Sequence, residues 1–317
     1  HEIISGFKGK KILVIGDLMI DQYIVGEVER ISPEAPVPVL KQAERRYGLG
    51  GAANTANNIA ALNGETFIAG AIGKDKNGER LKRLLKEKRI NVEGVIEEEK
   101  RITTCKTRII AGTQQLARID DETTELIKKN TEEKLLRYFK EKIPLIDAVI
   151  VSDYNKGLIT NRIVRELMKE AGRNKKIVCV DSKNFIKLGF RNASCLKPNK
   201  KELEKETEIE LNNEKNIINA LRVFQKKLSP ESILLTMGRD GMSLWSENRF
   251  EKIPSFAREV FDVSGAGDTV LATFSISLAS NANVLEAATI ANYAAGIVVG
   301  KLGATTVSVE ELKKAIS

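Results

Sequence analysis

Lys11-Ile12-Leu13-Val14-Ile15-Gly16-Asp17 is a short, unbroken apolar run that ends in Gly and Asp. A run of this length without polar alternation reads as a strand buried on both faces, as parallel strands are. Such a strand delivers Asp17 at its carboxyl end, where open α/β sheets place their ligands. Downstream, Gly48-Leu49-Gly50-Gly51 opens a small-residue helix through Ala52, Ala53, Ala56, Ile59, Ala60 and Leu62, with Gly64 as its stop. Strand patterns at 66–71, 92–96, 148–152, 177–181, 195–196 and 232–236 then alternate with helical patterns at 77–88, 132–142, 161–171 and 213–227. Three helical patterns, 265–280, 284–299 and 309–316, finish the chain. Alternation of this kind predicts an α/β fold: a mostly parallel central sheet with helices on both faces.

Two β-rich stretches interrupt that rhythm. In 23–41, Pro33, Pro36 and Pro38 exclude a central strand or helix and fit edge strands or an excursion outside the main sheet. The strand patterns 103–110 and 114–119 flank Ala111-Gly112-Thr113 and predict a hairpin. Together, segments 18–47 and 102–120 predict one small β-structure beside the main sheet, within a single domain spanning 1–317.

Composition excludes several classes. The chain has 317 residues, 42% hydrophobic and 30% charged, enough to bury a sizeable core. It has no apolar run long enough to span a membrane, and the N-terminus lacks a basic stretch followed by an apolar one. Three cysteines without a close pair, Cys105, Cys179 and Cys195, predict neither disulfides nor zinc, and fit buried thiols in a reducing cytoplasm. The net charge of +8 is spread among mixed Lys, Arg and Glu, and aromatics are only 5%, so nucleic-acid binding is not indicated. His1 is the single histidine, which removes histidine triads, and no Walker-type Gly-x-x-x-x-Gly-Lys-Ser/Thr run is present.

The most informative chemistry lies in Asp262-Val263-Ser264-Gly265-Ala266-Gly267-Asp268, just before a long helical pattern. Glycines let backbone N–H groups approach an anion, and a helix N-terminus favours negative charge. That suits a phosphoryl group in transfer, with Asp268 in the first turn as general base for an attacking hydroxyl. The plain alternative is an Asp that merely complements the helix dipole. Gly50-Gly51-Ala52-Ala53-Asn54 combines close backbone approach with an amide that can bond sugar hydroxyls, or is a turn before a capped helix. Asp17 and Asp21 offer carboxylates to paired hydroxyls, or end a strand. In Lys197-Pro198-Asn199-Lys200-Lys201-Glu202, Asn199 and Glu202 share a helix face and either hold hydrated Mg²⁺ or form a capping box. Thr236-Met237-Gly238-Arg239-Asp240-Gly241 is a turn after a strand that either lies against a nucleotide or is simply a tight turn.

Taken together, these runs resemble the ribokinase-like (PfkB) carbohydrate kinase family across essentially the whole chain. Gly50 to Asn54 resembles its N-terminal signature, Asp262 to Thr269 its C-terminal one, and Asn199 to Glu202 its Asn-x-x-Glu motif. Arg30-Ile31-Ser32-Pro33-Glu34-Ala35-Pro36-Val37-Pro38-Val39 is similar to the heptose-phosphate kinase subgroup. So are Gln114 to Asp120, Ser152-Asp153-Tyr154-Asn155-Lys156-Gly157 and 299–307. Ser264 stands where that subgroup often has Thr, and Lys200-Lys201 is more charged than the motif usually is.

The resemblance implies a ribokinase-like three-layer fold with a small β-lid, and a cytoplasmic enzyme that uses ATP and Mg²⁺. It implies phosphorylation of D-glycero-β-D-manno-heptose 7-phosphate at the anomeric hydroxyl, giving a 1,7-bisphosphate for ADP-heptose and lipopolysaccharide core. Asp268 resembles the catalytic base, and the amides of Gly265, Ala266 and Gly267 an anion hole. Asp17, Gly51 and Asn54 resemble sugar ligands. Asn199, Lys200, Lys201 and Glu202, with Thr236 and Gly238, resemble the nucleotide site, Asn199 and Glu202 meeting Mg²⁺ through water. A substrate with a distant phosphate calls for cations, and Lys106, Arg108 and Arg118 in the second β-stretch are the candidates, Lys106 and Arg108 on one strand face. A homodimer through the β-lid is expected, and no nucleic-acid or membrane partner. In many members an adenylyltransferase domain follows, and this chain ends where the kinase domain would. The alternatives are a kinase of another sugar, such as ribose, fructose or a sugar phosphate, and an inactive sugar- or nucleotide-binding regulator.

Overall fold

In the computed structural model of the chain, residues 1–257, 260–301, 303 and 305–316 are described. Leu302 and Ala304, within the 299–307 stretch, lie outside them, as does Ser317 at the end of the expected domain. The strands are β1 (Lys11–Gly16), β2 (Leu18–Ile31), β3 (Pro38–Gly51), β4 (Glu65–Gly73), β5 (Asn91–Glu98), β6 (Thr104–Ala111), β7 (Gln114–Asp121), β8 (Ala148–Asp153), β9 (Ile177–Ser182), β10 (Cys195–Leu196), β11 (Ser232–Thr236), β12 (Met242–Ser246) and β13 (Arg249–Ile253). The helices are α1 (Glu2–Ser5), α2 (Ala52–Ala61), α3 (Lys76–Glu87), α4 (Lys129–Lys142), α5 (Asn161–Arg173), α6 (Phe185–Leu188), α7 (Lys200–Thr207), α8 (Glu214–Leu228), α9 (Ala266–Ala279), α10 (Val284–Val299) and α11 (Val309–Ile316).

Nine strands form the main sheet in the order β13-β12-β11-β10-β9-β8-β1-β4-β5, parallel from β11 to β5. β1 therefore has a parallel neighbour on each side, as its unbroken apolar run requires. Its side chains divide with a period of two: Ile12 and Val14 enter one core, Leu13 and Ile15 the other. Ala53, Ile59, Phe274 and Ala291, from α2, α9 and α10, fill the first core. Phe139, Leu167 and Phe224, from α4, α5 and α8, fill the second. Fully burying each such aliphatic or aromatic side chain stabilises the fold by about 1.5–3 kcal/mol. The chain has the α/β architecture, with a mostly parallel main sheet, that its alternating patterns imply.

A second sheet, β3-β2-β6-β7, holds the two β-rich stretches. Pro33, Pro36 and Pro38 fall in or beside the turn between β2 and β3, so they end strands rather than interrupt them. The structure moves one boundary. Residues 48–51, read as opening a helix, are the last of β3, which pairs with β2 as far as Gly51 opposite Leu18. Gly51 makes the switch from strand to helix at φ +55°, and a Cβ there would lie 2.6 Å from the Asp17 carbonyl. That carbonyl accepts the Ala52 amide at 3.0 Å, so the start of α2 is fastened directly to the end of β1. The β12–β13 hairpin was not read from the sequence. Its signal was Glu247-Asn248, both in the left-handed region, between two alternating segments.

Candidate active site

Gly265, at φ +77°, turns the chain into α9 and sets Asp268 on its first turn. The Asp268 carboxylate is 4% exposed and meets three side-chain donors. Asn54 Nδ2 donates to Oδ2 at 2.9 Å, while the Thr55 hydroxyl (3.0 Å) and the Tyr154 hydroxyl (2.8 Å) donate to Oδ1. Burial pushes the Asp268 pKa up to about 6; the bonds from Asn54 and Tyr154 oppose this and the charge of Asp181 adds to it. The group is thus mostly ionised at neutral pH yet basic enough to take a proton. Of the expected anion-hole amides, Ala266 donates to the Val263 carbonyl at 3.3 Å. Gly267 lies in the first turn, whose N–H groups have no intrahelical acceptor.

Beside Gly267 stands a residue that sequence reading missed. A Cβ at Gly267 would lie 3.6 Å from Lys197 Nζ. Lys197 is 3% exposed and pairs with Asp181 at 2.7 Å. Burial works against its charge, but Asp181 outweighs it and raises the Lys197 pKa, with Glu202 and Asp268 contributing. Its signal was a lysine directly after the buried strand Cys195–Leu196 and before Pro198.

Asp17 holds the backbone of a neighbouring turn through both carboxylate oxygens. Its Oδ2 accepts the amides of Tyr154 (2.8 Å) and Lys156 (3.0 Å), and Oδ1 that of Leu158 (3.4 Å). Burial, and then the neighbouring charge of Asp153, push its pKa up to about 6. The structure therefore gathers Asp17, Gly51, Asn54 and Asp268 where β1, α2 and α9 converge. Asn54 is 1% exposed, its Nδ2 taken by Asp268 and its Oδ1 receiving Asn58 Nδ2 at 3.4 Å.

The three candidate cations lie on one face of the second sheet. Register aligns Asp21 with Lys106 and Asp120, and Tyr23 with Arg108 and Arg118. Arg108 Nη1 meets Asp21 Oδ1 at 2.5 Å, and its guanidinium lies 5.4 Å from the centre of the Tyr23 ring. Gly50 makes room for Asp21, since a Cβ there would be 2.7 Å from Asp21 Oδ2. Lys106 is shared between Asp120 (3.1 Å) and Glu122 (3.3 Å). Arg118 binds Asp120 through two nitrogens and is 51% exposed.

At the carboxyl ends of β10 and β11, Asn199 and Glu202 form a full capping box on α7. The Glu202 amide donates to Asn199 Oδ1 at 2.9 Å and the Asn199 amide to Glu202 Oε2 at 2.8 Å. Lys183 Nζ meets the other Glu202 oxygen. Thr236 bridges to Asn199, and Gly238, at φ +61°, opens the exposed turn that follows. Lys200 and Lys201 are exposed on the first turn of α7.

Residues 9–312 match the family model described as pfkB family carbohydrate kinase. The bifunctional protein HldE of Desulfatibacillum aliphaticivorans is 41% identical over 312 residues, covering 98% of this chain and 64% of that protein. HldE of Helicobacter pylori (strain ATCC 700392 / 26695) is 40% identical over 303 residues, covering 96% of this chain and 66% of that protein. The chain thus spans slightly less than two thirds of the length of these curated relatives. Among solved structures, phosphofructokinase-2 from Escherichia coli superposes with a TM-score of 0.77 at 19% identity, covering 97% of this chain and 98% of that one. Arabidopsis thaliana ribokinase superposes at 0.74 and 18% identity, covering 98% and 99%. Among the described residues no helix is long and apolar enough to cross a membrane.

Proposed function

Since the chain belongs to the pfkB family of carbohydrate kinases, we propose that it transfers the γ-phosphoryl group of ATP to the anomeric hydroxyl of D-glycero-β-D-manno-heptose 7-phosphate, with Asp268 as general base. The product, a 1,7-bisphosphate, would serve ADP-heptose synthesis for lipopolysaccharide core. The observation that carries this reading is the Asp268 carboxylate: buried, on the first turn of α9, held by Asn54, Thr55 and Tyr154. Asp268 takes the hydroxyl proton as the oxygen attacks phosphorus in line. The amides of Gly265 and Gly267 at the start of α9, with Lys197 beside Gly267, offset the negative charge of the transferring group, joined by that of Ala266 once it leaves the Val263 carbonyl. Asp17, Gly51 and Asn54 line the sugar side. Asp17 acts there both on sugar hydroxyls and on the backbone turn it holds.

The heptose assignment rests on the subgroup stretches and on relatives near 40% identity over almost the whole chain. Arg108 is the lead candidate for the distant phosphate, released to it from Asp21, with Lys106 and Arg118 at the margin. Asn199, Lys200, Lys201, Glu202, Thr236 and Gly238 form the ATP side. The donor set fits hydrated Mg²⁺: among the described residues one Glu202 oxygen accepts from Lys183 Nζ and the other from the Asn199 amide, and an ionised carboxylate has about four acceptor sites. Lone pairs therefore remain for metal-bound water, with Asn199 alongside. The ion would neutralise charge on the phosphates.

The second sheet would close over the sugar as a lid and exclude water. Its outer strands, β3 and β7, have unpaired edges among the described residues, and Ile31 and Ile119 are 61% and 51% exposed. Exposed edges with apolar side chains seek partners, which supports a homodimer through the lid. Free buried thiols suit the cytoplasm, which also supplies ATP.

The test is ADP release across a sugar panel with and without terminal phosphates. Turnover on heptose 7-phosphate should exceed that on ribose, fructose and unphosphorylated heptose. Preference for another sugar would overturn the substrate, and release on none would overturn the activity.

A further inference from the structure

The turn Tyr154-Asn155-Lys156-Gly157 touches three parts of the molecule at once. From the main sheet, Asp17 receives the amides of Tyr154, Lys156 and Leu158. From the segment after β7, the Ile127 amide donates to the Gly157 carbonyl at 3.0 Å. Arg101 bridges the same two segments, donating to the Lys156 carbonyl at 2.5 Å and the Glu125 carbonyl at 3.2 Å. Gly157 sits at φ +86°, and a Cβ there would lie 2.0 Å from the Glu125 carbonyl, so only glycine lets the segments meet. Directly after β7 of the second sheet, Glu122 accepts Lys156 Nζ at 2.6 Å and, from β6, Lys106 Nζ at 3.3 Å. The turn then delivers the Tyr154 hydroxyl to Asp268 Oδ1 at 2.8 Å.

We propose that Tyr154 is a positioning residue for Asp268, and that the 154–157 turn ties its hydrogen bond to the placement of the lid through Lys156 and Glu122. The inference rests on Asp268 being the general base. Asn54 and Thr55 are successive residues of one helix and hold the carboxylate from a single element. Tyr154 is the side-chain donor that arrives from another element and fixes the plane of the group. With Thr55 and Tyr154 both on Oδ1, Oδ2 has Asn54 as its single side-chain donor among the described residues, and it is the oxygen with a lone pair left for the substrate proton. The phenol stays a donor, because burial and the charge of Asp268 keep its pKa well above the usual value. Among the described residues, the other charged groups facing Asp268 are Asp181, at the end of β9, and Lys197, after β10.

The experiment compares Tyr154→Phe, Lys156→Met and Asp268→Asn in the full chain, measuring kcat, KM and the pH dependence of kcat on the best sugar of the panel. Wild-type kcat should fall as pH drops through the Asp268 pKa, raised by burial to about 6. Tyr154→Phe removes a hydrogen bond that favours the carboxylate. It should move that acid limb up by about one pH unit and lower kcat by about tenfold to a hundredfold, with KM within about threefold. Lys156→Met should move the limb the same way by less. An unmoved limb in Tyr154→Phe, whatever happens to kcat, overturns the positioning role. So does a raised KM at unchanged kcat, which would make Tyr154 a substrate ligand. An unmoved limb in Lys156→Met overturns the tie to the lid. Wild-type turnover in Asp268→Asn sinks the general base itself, so the two failures are told apart.

Discussion

Asn54 and Asp268 stand 214 positions apart in the chain, yet Asn54 Nδ2 lies 2.9 Å from Asp268 Oδ2. The contact exists because α2 and α9 pack side by side on one face of the main sheet, sharing a core with Ala53, Ala56, Leu271 and Phe274. Two short signatures, each open to a plain structural reading by itself, meet in one carboxylate.

Burial of that carboxylate has a thermodynamic signature. Asp17 and Asp268 are both raised from 3.8 to about 6. The folded state therefore holds these protons more tightly than the unfolded chain. Their contribution to stability is fully present below about pH 4 and lost as pH rises through about 6. Asp268→Asn should lose turnover by about 10²–10⁴ while gaining stability relative to wild type as pH rises from 4 to 7. Melting temperatures of both proteins across that range check the second point. Parallel curves would contradict the raised pKa.

Arg108 and Arg118 are neighbours on one face but differ in burial, 16% against 51% exposed. Arg108→Ala should raise KM for heptose 7-phosphate by about tenfold to a hundredfold, the worth of a partly buried, charge-assisted contact. Arg118→Ala should change it by less than about threefold, as screened surface charges do. Unphosphorylated heptose should be indifferent to both. Equal sensitivity of the two sugars to Arg108→Ala would remove Arg108 from the phosphate.

Lys197 and Asp181 form a pair whose lysine is almost wholly inaccessible. Lys197→Met alone leaves the Asp181 charge without its partner and should cost about 3–5 kcal/mol in denaturant unfolding. Adding Asp181→Asn should restore most of that loss without restoring turnover. Full recovery of turnover in the double variant would show that the ammonium is structural only.

Glu202 separates capping from metal contact. Glu202→Gln keeps an oxygen for the Asn199 amide and should leave the melting temperature nearly unchanged. Glu202→Ala deletes that half of the capping box and should destabilise by about 1 kcal/mol. Both should raise the Mg²⁺ concentration needed for half-maximal activity. An Mg²⁺ requirement unaltered in Glu202→Gln would confine Glu202 to helix capping.

The fold was legible because its signals are local. An apolar run such as Ile12 to Ile15, with Gly16 and Asp17 after it, needs no distant partner to read as a buried parallel strand. The prolines of 33–38 likewise mark the interruption between β2 and β3, though not its two long flanking strands. The β12–β13 hairpin escaped because its alternation is short and mixed with charge.

By itself the sequence determined the alternating α/β architecture, the place of Asp17 at a strand end, the place of Asp268 at a helix start, and the membership of two β-stretches in a smaller sheet. These follow from periodicity and backbone preference, which act over a few residues. Only the tertiary structure decided what each polar group faces: Asp17 the amides of 154–158, Arg108 the carboxylate of Asp21, Lys197 that of Asp181, Tyr154 the base itself. Pairing of that kind is set by burial. A charge or hydroxyl removed from water must find a partner within hydrogen-bond reach, and packing, not chain distance, settles which one that is.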